Sequence, residues 1–219
     1  MSGSPYPEPP WRMHGRGVFV AMRVPVGELS LPRGMTPIAV GGQAMGLLAF
    51  VEYQAPSPLT YRELIFMPCM VSAETEGGRR VRGYWVARMY VDSEASLRGG
   101  RELWALPKTI AHFALRDGGV DVRAEDGTTI GLSFRSRTPA LPLRSSVVTL
   151  QREERDLVRF RGDFRARVQL AQVRIDHFAS TDPGWTGFAP SRRLPLPGAH
   201  FASFESLMQP PRRSESKAA

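Results

Sequence analysis

Met89-Tyr90-Val91-Asp92-Ser93-Glu94-Ala95-Ser96-Leu97-Arg98-Gly99-Gly100-Arg101-Glu102-Leu103-Trp104-Ala105-Leu106-Pro107-Lys108 is the stretch on which the fold reading turns. It leaves an apolar strand, meets Asp92 or Ser93 as a helix cap with Glu94 in the first turn, and runs as a short helix to about Leu103. Pro107 then ends the helix, and from Ile110 the pattern returns to β. Upstream, residues 17–26, 45–53, 61–71 and 81–91 read as strands, with Pro25 ending the first, Pro68 marking an edge or bulge and Gly77-Gly78 a turn. Downstream, residues 110–116, 119–124, 128–136, 146–151, 157–161 and 164–175 read the same way, and Asp182-Pro183-Gly184 opens a loop-rich closing section. About ten short strands around one clear helix predict an α+β chain, mostly antiparallel β, with a cone- or barrel-like sheet. The Pro-rich residues 1–15 read as an N-terminal arm, 16–209 as a single domain and 210–219 as a flexible tail.

Composition narrows the functional classes. The 219 residues carry a net charge of +8, yet the arginines are scattered in pairs such as Arg79-Arg80, Arg192-Arg193 and Arg212-Arg213. No basic stripe interleaved with aromatics is present, so no nucleic-acid partner is expected. No apolar run reaches the roughly 18 residues of a membrane span. The opening MSGSPYPEPPW lacks the basic and apolar regions of a signal peptide, and Cys69 is alone, so a cytoplasmic setting is expected. His14, His112, His177, His200 and Cys69 show no metal-ligand spacing, and neither a phosphate loop nor a Gly-x-Ser-x-Gly elbow occurs. No metal or cofactor is expected.

Lysine usage is more telling. Of 29 basic residues only Lys108 and Lys217 are lysines. Lys217 sits in the polar ending RRSESKAA, whereas Lys108 follows Leu103-Trp104-Ala105-Leu106-Pro107. Lysine can lose its proton in a protein and arginine cannot. At the ordinary lysine pKa only about one amine in a few thousand is neutral at pH 7, so a nucleophilic lysine needs apolar enclosure.

The 89–108 segment resembles the active-site stretch of the acetoacetate decarboxylase family: a Tyr-x-Asp strand end, a Gly-Arg-Glu, and a Pro-Lys whose lysine forms a Schiff base. The resemblance extends more weakly from Gly17 to Phe204 and implies a homo-oligomeric, β-rich lyase acting on a small keto acid. It assigns the nucleophile to Lys108. Tyr61-Arg62-Glu63 resembles the family's Tyr-x-Glu and assigns its active-site carboxylate to Glu63. The family's carboxylate-binding arginine falls at Arg12 or Arg16, with Arg16 preferred. Tyr61, Met89, Trp104 and Leu106 are expected in the substrate pocket, and Arg101-Glu102 as a structural ion pair. Two departures stand out: Thr109 replaces a second lysine that helps keep the first neutral, and the place of a second acidic residue falls near Leu48. Three outcomes follow for such a site: decarboxylation of a β-keto acid, aldol condensation and dehydration with a pyruvate-like keto acid, or noncatalytic binding of a small molecule.

Overall fold

The computed structural model describes residues 5–217. In chain order it contains β1 (Trp11–Pro25), β2 (Met35–Pro37), β3 (Ala39–Val40), β4 (Gln43–Gln54), β5 (Tyr61–Met67), β6 (Cys69–Glu74), β7 (Arg80–Trp85) and β8 (Arg88–Val91). Helix α1 (Glu94–Trp104) follows, then β9 (Lys108–Arg116), β10 (Gly119–Ala124), β11 (Thr129–Ser136), β12 (Leu141–Glu153), β13 (Asp156–Ala179), β14 (Gly198–Met208) and β15 (Arg212–Glu215). Nine strands close a barrel in the order β11-β10-β9-β8-β5-β4-β1-β14-β13, and β13 returns to β11. Past β13 the same sheet continues through β12, β7, β6 and β2.

Strand alternation sorts the apolar residues into two cores. Val18, Val20, Met22 and Val24 of β1, Leu48 and Phe50 of β4, and Leu64 and Phe66 of β5 point into the barrel. Their neighbours Ala49, Val51, Tyr53, Tyr61, Ile65 and Met67 point out of it. That outer face is also buried, packing with Trp104 of α1, Phe160 and Ala166 of β13 and Phe204 of β14. Burial on both faces is why β4 and β5 read as continuous apolar runs. Lys108 and Glu63 lie against this second core, outside the barrel.

Strands β8 and β9 are parallel neighbours, with Met89 opposite Lys108 and Val91 opposite Ile110. Parallel neighbours require a crossover, and α1 is that crossover. Among the described residues no helix is long and apolar enough to cross a membrane.

The structure redraws several boundaries. Strand β1 begins at Trp11, so residues 11–15 are paired sheet and not an arm; Trp11 and Met13 are core residues whose alternation the surrounding prolines obscure. The expected tail contains β15, which pairs with β13; residues 1–4 and 218–219 lie outside the described residues. The 61–71 run breaks at Pro68 and the 81–91 run between Trp85 and Arg88. The separate strands at 157–161 and 164–175 are one strand of 24 residues, because Gly162 is paired with Val147 and Met208 and makes no turn. Strand β14 had no clean sequence signal, since His200, Ser203, Glu205 and Ser206 interrupt its apolar pattern. It nevertheless joins β1 to β13 and completes the barrel.

Leu48 is fully buried inside the barrel and faces away from the second core. The place of the second acid assigned to it is therefore corrected: a carboxylate there would enter the barrel interior. Leu48→Ala should lower unfolding stability by about 2–5 kcal/mol, the range for a buried leucine. A urea midpoint unchanged from wild type would contradict the closed, packed barrel.

Candidate active site

Helix α1 and β9 together place Lys108. Ser93 caps the helix, its hydroxyl accepting from the Ser96 N–H at 3.3 Å. At the other end Ala105 adopts the left-handed conformation, with φ of 53°. The Ala105 N–H then reaches the Arg101 carbonyl and the Leu106 N–H the Gly100 carbonyl, both at 3.0 Å. This closure satisfies the last helical carbonyls and turns the chain into β9. Arg101 Nε also donates to the Lys108 carbonyl at 2.8 Å, fixing the start of β9 to the helix. Glu102 instead accepts from the Tyr6 hydroxyl. The expected Arg101–Glu102 ion pair is thus corrected: adjacent helical positions point in different directions.

Gly100 makes room for the lysine. A Cβ at this position would stand 2.4 Å from Lys108 Cδ and 2.6 Å from Cε. The lysine stem therefore lies flat against the bare helix backbone, and the amine reaches the first turn of α1.

There it is 97% enclosed, and its side-chain neighbours are few. Lys108 Nζ donates to Ser96 Oγ at 2.8 Å and stands 3.3 Å from Glu63 Oε2 and 3.5 Å from the Tyr61 hydroxyl. Tyr53 donates to the other Glu63 oxygen at 2.9 Å. Burial pushes the lysine pKa below its usual value, against the opposing pull of Glu63. The positive end of α1, which begins beside the amine, acts in the same direction as burial because it disfavours an ammonium. The Tyr53 and Tyr61 hydroxyls are held well above the usual phenol range, first by burial and then by the Glu63 charge. They remain neutral hydrogen-bond donors.

Lys108, Glu63, Tyr61 and Tyr53 line one side of a cavity of about 90 Å³. Its other walls are Trp11 and Met13 of β1, Met89 of β8, Trp104 and Leu106 around the end of α1, Phe160 of β13 and Phe204 and Met208 of β14. Lys108, Glu63, Tyr61, Met89, Trp104 and Leu106 are brought together as the sequence suggests. Arg16 is not. It pairs with Glu52 at 2.7 Å and is half exposed, while Arg12 pairs with Glu205 on the surface. Because Trp11 and Met13 face the cavity, alternation turns Arg12 and Arg16 away from it. Among the described residues, Lys108 and Glu63 are the cavity's sole charged groups.

Thr109 also differs from expectation. Tyr90, opposite it on β8, and Ala111 and Phe113, which share its side of β9, all face the barrel interior. The side chain at 109 thus points away from the Lys108 amine, and lysine at that position would not stand beside it. Ser96 and Tyr53 were missed by sequence reasoning. A buried small polar residue four places before Gly100 is the available signal for Ser96, but its meaning depends on where the helix docks.

Fold and site together define a closed β-barrel with a lysine amine enclosed beside one carboxylate on its outer, covered face. The family model for acetoacetate decarboxylase matches residues 3–186, and the chain belongs to that family. Similar solved structures include an acetoacetate decarboxylase-like enzyme from Sphingomonas wittichii RW1, with TM-score 0.65, 19% identity and coverage of 98% of this chain and 96% of that one. The enduracididine biosynthesis enzyme MppR, complexed with the condensation product of pyruvate and imidazole 4-carboxaldehyde, gives TM-score 0.63 at 18% identity, covering 98% and 92%. An acetoacetate decarboxylase gives 0.65 at 14%, covering 98% and 93%. At these identities the structures establish the shared fold. A search of curated protein sequences finds no significant match.

Glu63 raises the lysine pKa, so its neutralisation has a definite sign. In Glu63→Gln the lysine should deprotonate at lower pH, shifting the pH profile of covalent capture by a keto acid toward acid. Turnover should fall by about 10², the scale of general acid–base catalysis. A profile unmoved from wild type would show that the amine does not sense the carboxylate.

Proposed function

We propose that this protein decarboxylates a short-chain β-keto acid through an imine on Lys108. The observation that carries the reading is the enclosed Lys108 amine beside Glu63 in a mainly apolar cavity that no other charged side chain among the described residues lines. The neutral amine attacks the keto carbon, and the adduct loses water to give a protonated imine. The bond from the α-carbon to the carboxylate then breaks, its electron pair moving into the enamine as CO2 departs. A proton delivered through Glu63 returns to that carbon, and water hydrolyses the resulting imine to free Lys108. The sum is keto-acid anion plus proton to ketone plus CO2, and the imine itself serves as the electron sink.

Charge favours this outcome over a pyruvate-type aldol reaction. With the imine protonated and Glu63 ionised, a bound carboxylate is one negative charge in excess, and no arginine among the described residues lines the cavity. An unpartnered carboxylate is costly in apolar surroundings, and its loss as neutral CO2 removes that cost. An aldol condensation would keep the charge throughout turnover. Cavity size favours a compact substrate: about 90 Å³ is less than the roughly 150 Å³ apolar cavity that admits benzene. The orientation of Thr109 removes one of the two reasons to set acetoacetate itself aside; the other, a second acidic residue, still has no counterpart among the residues that line the cavity.

Incubation with acetoacetate should release CO2, and added borohydride should fix mass on the peptide containing Lys108. Lys108→Arg should abolish both. Labelling confined to Lys217 or to the N-terminal amine would overturn the imine reading. Capture without CO2 release, together with aldol products from pyruvate and an aldehyde, would replace decarboxylation by the condensation reaction.

A further inference from the structure

The surroundings of Lys108 include a group that the proton chemistry above does not use. Ser96 is fully buried in the first turn of α1, and its Oγ lies 2.8 Å from Lys108 Nζ. It is nearer to the amine than Glu63 Oε2 at 3.3 Å. The Tyr61 hydroxyl lies within hydrogen-bonding reach of both Ser96 and Glu63.

The donors and acceptors can be counted. A neutral lysine amine has two N–H bonds and one lone pair. Serine oxygen accepts hydrogen bonds and carries one proton of its own, a phenol can accept one and donate one, and an ionised carboxylate only accepts. One assignment satisfies all four groups: Lys108 donates one N–H to Ser96 and the other to Glu63, Ser96 donates to Tyr61, and Tyr61 donates to Glu63. Tyr53 fills the remaining carboxylate oxygen. Both amine protons are then held, and the lone pair is left toward the cavity. Without Ser96 an amine on four rotatable carbons, lying against a helix with no Cβ at Gly100, can turn about its last bond and misdirect that pair.

We propose that Ser96 is a positioning residue that aims the Lys108 lone pair at the substrate carbonyl. The proposal rests on the imine reading and adds to it a role for α1: the helix is the crossover between β8 and β9, it leaves space for the lysine stem at Gly100, and it orients the amine at Ser96, one turn earlier on the same face.

The test separates aim from proton affinity. The rate of imine formation with acetoacetate, followed by rapid quench into borohydride, is measured against pH. Burial remains in Ser96→Ala, and alanine is a good helix former, so fold and lysine burial persist. The midpoint of the profile should stay within about half a unit of wild type. The plateau at high pH, where every amine is already neutral, should fall at least about tenfold, as expected for a misdirected nucleophile. Ser96→Thr, which keeps the hydroxyl, should recover most of the plateau. A wild-type plateau in Ser96→Ala would overturn the proposal while leaving the imine reading intact. So would a midpoint shift that accounts for the whole loss at neutral pH. Failure of the wild-type protein itself to form an imine would overturn the imine reading, and this proposal with it.

Discussion

Everything in this site depends on one unfavourable act, the removal of a lysine amine from water. In the open it would be an ammonium with no lone pair to offer. Enclosed by apolar walls it sheds that charge more readily, and a shift of one pKa unit corresponds to about 1.4 kcal/mol. Glu63 opposes the shift, and in the proposed reaction it is the carboxylate near enough to move protons. The balance between enclosure and that carboxylate sets how readily Lys108 loses its proton, and on the proposed reading it makes the amine a nucleophile with an acid–base partner beside it.

The fold supplies the enclosure in an unusual place. The barrel interior is filled by its own side chains, and the cavity lies on the outside of β4, β5, β8 and β9. It becomes an interior only because β13 is long enough to serve two layers. Its later half pairs with β11 and closes the barrel, while its earlier half pairs with β12 and contributes Phe160 to the cover over the site. Helix α1 seals the remaining side with Trp104, whose ring meets that of Trp11 edge-on at 4.7 Å. Strand pairing, helix docking and lysine burial are thus one structural problem with one solution.

The parts legible from sequence were those whose meaning is local. A lone lysine after an apolar run, a Tyr-x-Glu and a capped helix before Pro107 can be read residue by residue. What could not be read depends on which face a residue presents. Thr109 follows Lys108 in the chain and so, on a strand, lies on the opposite side. Arg16 follows the same rule relative to Trp11 and Met13, and Leu48 faces the barrel for the same reason. Ser96 reaches Lys108 through helix docking, and Tyr53 reaches Glu63 through the β4–β5 register, in which Tyr53 stands opposite Tyr61 and Val51 opposite Glu63. Strand β14 is polar enough to pass for loop, and only its two neighbours make it a strand.

The scarcity of lysine permits a direct test of the central claim. Protein grown with isotope-labelled lysine carries two labelled side chains, Lys108 and Lys217, and Lys217 is largely exposed and paired with Glu74 at 2.9 Å. Titration of the two side-chain resonances by NMR gives each amine its own midpoint, with Lys108→Arg assigning the signals. The account predicts that Lys108 loses its proton at distinctly lower pH than Lys217. Two midpoints together near the ordinary lysine value of about 10.4 would contradict it.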